Sequence, residues 1–225
     1  MPDATSPAGH RLRLRRRFLK NGLGSLYDHE VLELLLTYAI PRRDVKPLAK
    51  TLIQRFGSLA RVFDATEYEL ESVPGVGEHA AGLILLMKAL GARYLERKLD
   101  RETILENQAA VVDFLRMKVG GSGKETMVVL YLDARRRLLA YTCTPGTINR
   151  APVFWREIME QCIIHRATAI ILAHNHPSGL CLPSPEDVAL SRKIRDAAAA
   201  SDIELLDHLL VTPTEFRSLK QENFM

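Results

Sequence analysis

His174 and His176 stand two residues apart at the end of the apolar run Ala169–Ala173. Residues i and i+2 of a strand point to one face, so both imidazoles can project toward a single ion. Eleven residues past His176 comes Asp187, preceded by Ser184, Pro185 and Glu186. A strand end facing a helix start can bring these three side chains around one metal. Two neutral imidazoles and one carboxylate leave a fourth tetrahedral position for water, the pattern of catalytic rather than structural zinc. Cys181, five residues beyond His176, could instead close the site as a thiolate. The same segment also reads without a metal: Ser184 as an N-cap, Pro185 at the first helical position, and Asp187 in the first turn against the helix dipole. Capping accounts for neither histidine, whereas a metal accounts for both.

The elements that must position these groups change character at Gly120-Gly121-Ser122-Gly123. Before that break, from Asn21 to Lys98, apolar residues recur at helical spacing, as in Val31, Leu32, Leu34, Leu35 and Leu36, then Leu48, Leu52 and Ile53. Asp28 and Asp44 stand as N-cap candidates, and Pro41, Pro47, Gly57 and Pro74-Gly75 cut the segment into short helices. Glu106 to Val119 continues helical. After the break, Met127–Leu132 and Leu138–Thr142 read as strands across an Asp133–Arg137 turn. Pro152–Ile164 reads as a helix, Ala169–His174 as a buried strand, Ser184–Ala200 as a helix, and Ile203–Leu206 and Leu209–Val211 as further strand. The expectation is a flexible basic tail over 1–20, an all-helical bundle over 21–100 and a mixed β-sheet domain flanked by helices over 104–225. That is an α+β chain, with no sheet before residue 120.

Within the helical half, Leu70, Val73, Pro74, Gly75, Val76, Gly77, Ala81 and Ile84 place a two-glycine turn between two apolar helical faces. This looks like a helix-hairpin-helix motif. Gly75 and Gly77 let backbone N–H groups at the start of the second helix point outward, a ready phosphate site. Glu78 opposes phosphate there, and only His79 and Lys88 lie close in sequence, so the turn reads equally as a plain helix connection. Arg15, Arg16 and Arg17, with Arg11, Arg13 and Lys20, carry more positive charge than the whole net excess of +4. They read either as a solvated basic tail or as a phosphate-seeking arm, which makes DNA a candidate partner.

Composition narrows the class. At 225 residues and 47% hydrophobic the chain is ordinary globular material for one large domain or two small ones. Three widely spaced cysteines, Cys143, Cys162 and Cys181, make no disulfide framework and suit a reducing compartment. The N-terminus has no apolar core for a signal peptide, and Lys88 interrupts the longest apolar run, Ala80–Leu90. A cytoplasmic protein without membrane contact is expected.

His174-x-His176-Pro177, followed by Ser184 and Asp187, resembles the JAMM motif of MPN/JAB-domain zinc metallopeptidases. The wider pattern is more specific. His174-Asn175-His176-Pro177-Ser178-Gly179, with Gly146-Thr147-Ile148, Arg156-Glu157-Ile158 and Asp207-His208, resembles the bacterial RadC family (UPF0758), whose members also carry an N-terminal helix-hairpin-helix domain. The resemblance covers about residues 18–225. It implies an MPN (JAB-like, cytidine-deaminase-like) sheet and one Zn2+ per chain, held by His174, His176 and Asp187. It also implies an upstream glutamate as general acid/base, which matches Glu125, with Glu157 in competition and an exposed strand-edge carboxylate as the plainer reading of Glu125. Ser184 would donate to the oxyanion. The implied reaction is hydrolysis of a peptide or isopeptide bond in an unidentified peptide or protein substrate. The alternative is a DNA-associated protein, linked to repair or recombination, that uses the MPN fold as a platform. Cys181 and Ser191 depart from the family's usual pattern without touching a required ligand, and His208, next to Asp207, reads either as a group behind a metal ligand or as an ordinary partly buried histidine.

Overall fold

The structure, a computed structural model, describes residues 7–99, 104, 108–146 and 151–225, the side chains of 7–8 and 151–154 apart. Thr147, Ile148 and Glu106 lie outside the described residues. The chain divides into two compact units, Met1–Leu90 and Gly91–Met225, with the division inside one long helix.

The first unit holds α1 (Pro7–Asn21), α2 (Asp28–Ala39), α3 (Lys46–Phe56), α4 (Leu59–Asp64), α5 (Glu67–Glu71) and the start of α6 (Glu78–Leu99). Leu32, Leu36, Leu52, Val62, Leu70, Val73 and Ile84 fill its core. Each such side chain contributes about 1.5–3 kcal/mol by leaving water. Asp28 is the first residue of α2, not its cap, and Glu30 reaches back to accept from the Tyr27 N–H (3.0 Å). Asp44 sits one residue ahead of the α3 cap Val45 and accepts from the Lys46 N–H (3.0 Å).

The expected flexible tail is corrected for residues 7–20, which form α1. Leu14 is 3% exposed, so an apolar anchor ties this helix down. Three of its basic side chains have partners within the unit: His10 meets the buried Glu33 (2.8 Å), Arg17 pairs with Glu30, and Arg15 lies over the Tyr38 ring. Sequence alone shows the arginines but not the carboxylates of α2 that receive them.

The second unit is a five-stranded sheet of β1 (Thr126–Leu132), β2 (Leu138–Pro145), β3 (Ala169–Asn175), β4 (Glu204–Val211) and β5 (Phe216–Ser218) in the order β2-β1-β3-β4-β5. Only β3 and β4 run parallel; the other pairs are antiparallel. The helices are α7 (Gln108–Leu115), α8 (Ala151–His165) and α9 (Pro185–Ala199). A π-helical turn, Arg116–Gly120, continues α7. Val128, Leu130, Ile171, Ala173 and Leu209 face a core with α7; Met127, Val129, Ile170, Leu172 and Leu205 face one with α8 and α9. Among the described residues no helix is long and apolar enough to cross a membrane.

The two strand signals Ile203–Leu206 and Leu209–Val211 belong to one strand, β4, interrupted by a bulge. Ile170 pairs with Leu205 and Ile171 with Asp207, so Leu206 is the extra residue. A bulge reverses the facing of everything downstream, and His208 is thereby paired with Leu172 on the same face as His174.

Leu14→Ala is expected to destabilise the first unit by about 2 kcal/mol or more in urea unfolding. A change within 0.5 kcal/mol, the usual surface range, would mean that α1 is not packed.

Candidate metal centre

β3 ends at Asn175, and alternation along it turns His174 to the α9 side; His176, just past the strand, follows to the same place. Their Nε2 atoms stand 3.1 Å apart. Helix α9 begins opposite, with Ser184 as N-cap, Pro185 in the first turn and Asp187 as the third helical residue. Asp187 Oδ2 accepts from both the N–H (2.7 Å) and the hydroxyl (2.8 Å) of Ser184. Its Oδ1 stands 3.1 Å from His174 Nε2, and its Oδ2 is 3.5 Å from His176 Nε2. Glu125, immediately before β1, joins them: one donor atom from each of Glu125, His174, His176 and Asp187 lies within 4.8 Å of all the others. Asp187 and His174 are fully buried.

The protons can be placed from the far end of the network. Ser191 Oγ lies 2.7 Å from the Asp187 carbonyl oxygen, which can only accept, so the serine donates there. Its lone pair then takes the Nδ1–H of His208 (2.5 Å). Complete burial, with His174 nearby, holds His208 well below the usual histidine pKa and so neutral. Its Nε2 is therefore a bare acceptor, and His174 must donate its Nδ1–H to it (2.9 Å). On the other ring, His176 Nδ1–H donates to the Leu180 carbonyl (3.0 Å). Both Nε2 atoms are left as lone pairs aimed at each other, beside an Asp187 Oδ1 that is buried without a hydrogen-bond donor.

Such an arrangement is repulsive until something positive sits within it. A proton on one ring can bridge only two of these atoms, whereas a metal ion satisfies them together. The Ser184 N–H and hydroxyl, both on Oδ2, favour the ionised form of Asp187. Ligands of a tetrahedral zinc at ~2.1 Å stand roughly 3.4 Å apart, close to the separations found here. The residues present therefore fit a divalent ion with nitrogen and oxygen ligands.

Other expected site residues fall elsewhere. Ser184 touches Asp187, and its single hydroxyl proton is engaged there, so capping and service to the cluster are one arrangement. Cys181 is buried with its thiol toward the Leu210 carbonyl (3.6 Å), outside the cluster, and burial raises its pKa. Glu157 is an exposed residue of α8, also outside the cluster. Of the two readings of His208, the structure favours the group behind a ligand, because it is fully buried and the β4 bulge aims it at His174. The expectation that Ser191 touches no required ligand is corrected, because its hydroxyl joins His208 to the Asp187 backbone. Asn175 is likewise buried and hydrogen-bonded next to the centre. Two signals for His208 stand in the sequence: its polar intrusion into an apolar strand and its place in the Asp207-His208 pair of the resemblance.

In the first unit, Gly75 takes a left-handed conformation (φ 96°) at the hairpin turn. The Arg43 guanidinium lies beside it, 3.6 Å from where a Cβ would stand. Arg11 donates to the Arg43 carbonyl. Lys88 is taken by Asp64 (2.7 Å). Arg11 thus reaches the loop beside the turn, while Arg15 and Arg17 are engaged along α2 and Arg16 is exposed on α1.

One divalent ion per chain is expected by metal analysis. His174→Ala, His176→Ala and Asp187→Ala should each lose most of it, and Cys181→Ser should keep it. His208→Ala should weaken binding roughly 10–100-fold in chelator competition, as loss of a ligand-orienting partner does. Sulfur in the zinc-edge absorption spectrum, together with metal loss in Cys181→Ser, would overturn this ligand set.

Residues 105–224 match the family model described as RadC-like JAB domain, and residues 8–82 match the one described as UPF0758 N-terminal. A UPF0758 protein of Paraburkholderia phytofirmans is 38% identical over 198 residues, 88% of this chain and 76% of the relative. One from Fusobacterium nucleatum is 34% identical over 225 residues, 96% and 97% of the two chains, and one from Burkholderia mallei is 37% identical over 212, or 94% and 76%. With a helical region followed by a mixed five-stranded sheet and a His/His/Asp/Glu cluster that could hold a metal, the chain belongs to the RadC-like JAB (UPF0758) family.

Proposed function

We propose that this chain is a zinc-dependent hydrolase of peptide or isopeptide bonds. The observation that carries the reading is the meeting of Glu125 with His174, His176 and Asp187 in one cluster, in which Asp187 Oδ1 is buried without a hydrogen-bond partner. Zinc, when held by the two imidazoles and the aspartate, would supply Lewis acidity toward water and toward the scissile carbonyl.

The chain's own residues divide the remaining work. Glu125 takes a proton from the attacking water as the carbon–oxygen bond forms, and returns it to the amine nitrogen as the carbon–nitrogen bond breaks. His208 and Ser191 keep the His174 lone pair pointing inward. Ser184 fixes Asp187, and its hydroxyl can reach a developing oxyanion only by giving up Oδ2, while its N–H goes on holding that oxygen.

A cleavage assay of the zinc-loaded protein on a peptide library tests the reading. Glu125→Gln is expected to lower hydrolysis roughly 100-fold or more with zinc content and melting temperature nearly unchanged, and Glu157→Gln to leave the rate alone. Full activity in Glu125→Gln would sink the assignment, and an inactive Glu157→Gln with zinc retained would move the base to α8.

A second reading, a DNA partner for the first unit, is favoured by the Arg43 guanidinium beside Gly75. It supplies a cation beside the turn, where the hairpin's own sequence offers only His79 and Lys88. Arg43→Ala is expected to weaken duplex binding and to lower the log–log salt slope by about 0.9. Equal slopes for the two proteins would remove Arg43 from any DNA contact.

A further inference from the structure

We infer that Asn175 is a positioning residue that sets Glu125 against the His174–His176–Asp187 cluster. The inference rests on the hydrolase reading, in which Glu125 is the base.

Asn175 lies between the two histidines, and strand alternation turns its side chain to the opposite face of the sheet. It is fully buried. Its Oδ1 accepts from the Thr126 N–H (2.9 Å), and its Nδ2 donates to the carbonyls of Ser122 (3.1 Å) and Lys124 (3.2 Å). Those three backbone groups bracket Glu125. The register between β1 and β3 stops at Met127 opposite His174, so backbone pairing with β3 ends before it reaches Glu125. The Asn175 amide replaces the missing rungs. On the other side, the Gly146 N–H donates to the Glu125 carbonyl (3.1 Å), and the glutamate backbone is gripped from both flanks.

The chemistry is specific to an amide. One acceptor and two donors are needed at once, and asparagine is the short side chain that offers both. Aspartate would still accept from Thr126 but would turn a carboxylate toward two carbonyl oxygens. Alanine would lose all three bonds. Neither change touches a metal ligand, because the ligands lie on the other face.

The test combines activity with two independent readouts on the whole chain. In Asn175→Ala and Asn175→Asp, zinc should stay at one per chain, and the Thr126 amide should exchange with solvent at least tenfold faster. Against a peptide that the native protein cleaves, kcat should fall at least tenfold with KM little changed. In a Glu125→Gln background, Asn175→Ala should cost nothing further, since the group it positions is already disabled. Unchanged Thr126 exchange, loss of zinc, or a full additional loss in the double variant would overturn the positioning role while leaving the hydrolase reading intact. A zinc-loaded native protein that cleaves nothing, or a fully active Glu125→Gln, would overturn the hydrolase reading and the inference with it.

Discussion

Two imidazole nitrogens and one carboxylate oxygen meet at the end of β3, His174 and Asp187 fully buried and His176 partly exposed, and the side chains around them hold that unfavourable contact in place. Left alone, such a group of acceptors would separate or take up protons. Here it is held from behind. His208 takes the other nitrogen of His174, Leu180 takes that of His176, and Ser184 takes the second oxygen of Asp187. Each partner uses the proton or lone pair that could otherwise relieve the contact, so a cation is the species that can.

Strand β3 builds this centre from both of its faces. His174 looks toward α9 and meets its ligand partners, while Asn175 looks the other way and grips the segment that carries Glu125. One three-residue run, His174-Asn175-His176, therefore links the candidate metal ligands to the acid/base candidate through a central strand. Helix α9 works in the same double fashion. Asp187 Oδ2 closes the capping box, and Oδ1 faces the cluster. Helix capping is what orients this candidate ligand.

The first unit resolves its charge differently. Arg11, Arg15 and Arg17 are partnered by loop carbonyls, by the Tyr38 ring and by the acidic face of α2, while Arg16 is exposed. A count of basic residues therefore overstates what α1 can offer a phosphate backbone. The cation nearest the hairpin turn comes from the Pro41–Val45 loop, about thirty residues away in sequence, where a local motif search has no reason to look.

The main elements of the sheet unit, the two histidines on one face, Ser184 as a cap and the two-glycine hairpin were all legible in the sequence. These rest on local rules: period-two alternation, N-cap chemistry, and the φ that only glycine adopts cheaply. Their span is a few residues, and the chain carries that information in order. What the tertiary structure alone decided has a different physical origin. Regular alternation from Leu205 puts His208 on the wrong face, and one bulged residue, Leu206, reverses it. Asn175 shows its purpose only when the end of β3 lies beside the entry to β1, and α1 becomes a packed helix only when Glu30 and Glu33 stand beneath it. In each case the deciding partner is distant in sequence, and its position is set by register or packing rather than by local preference.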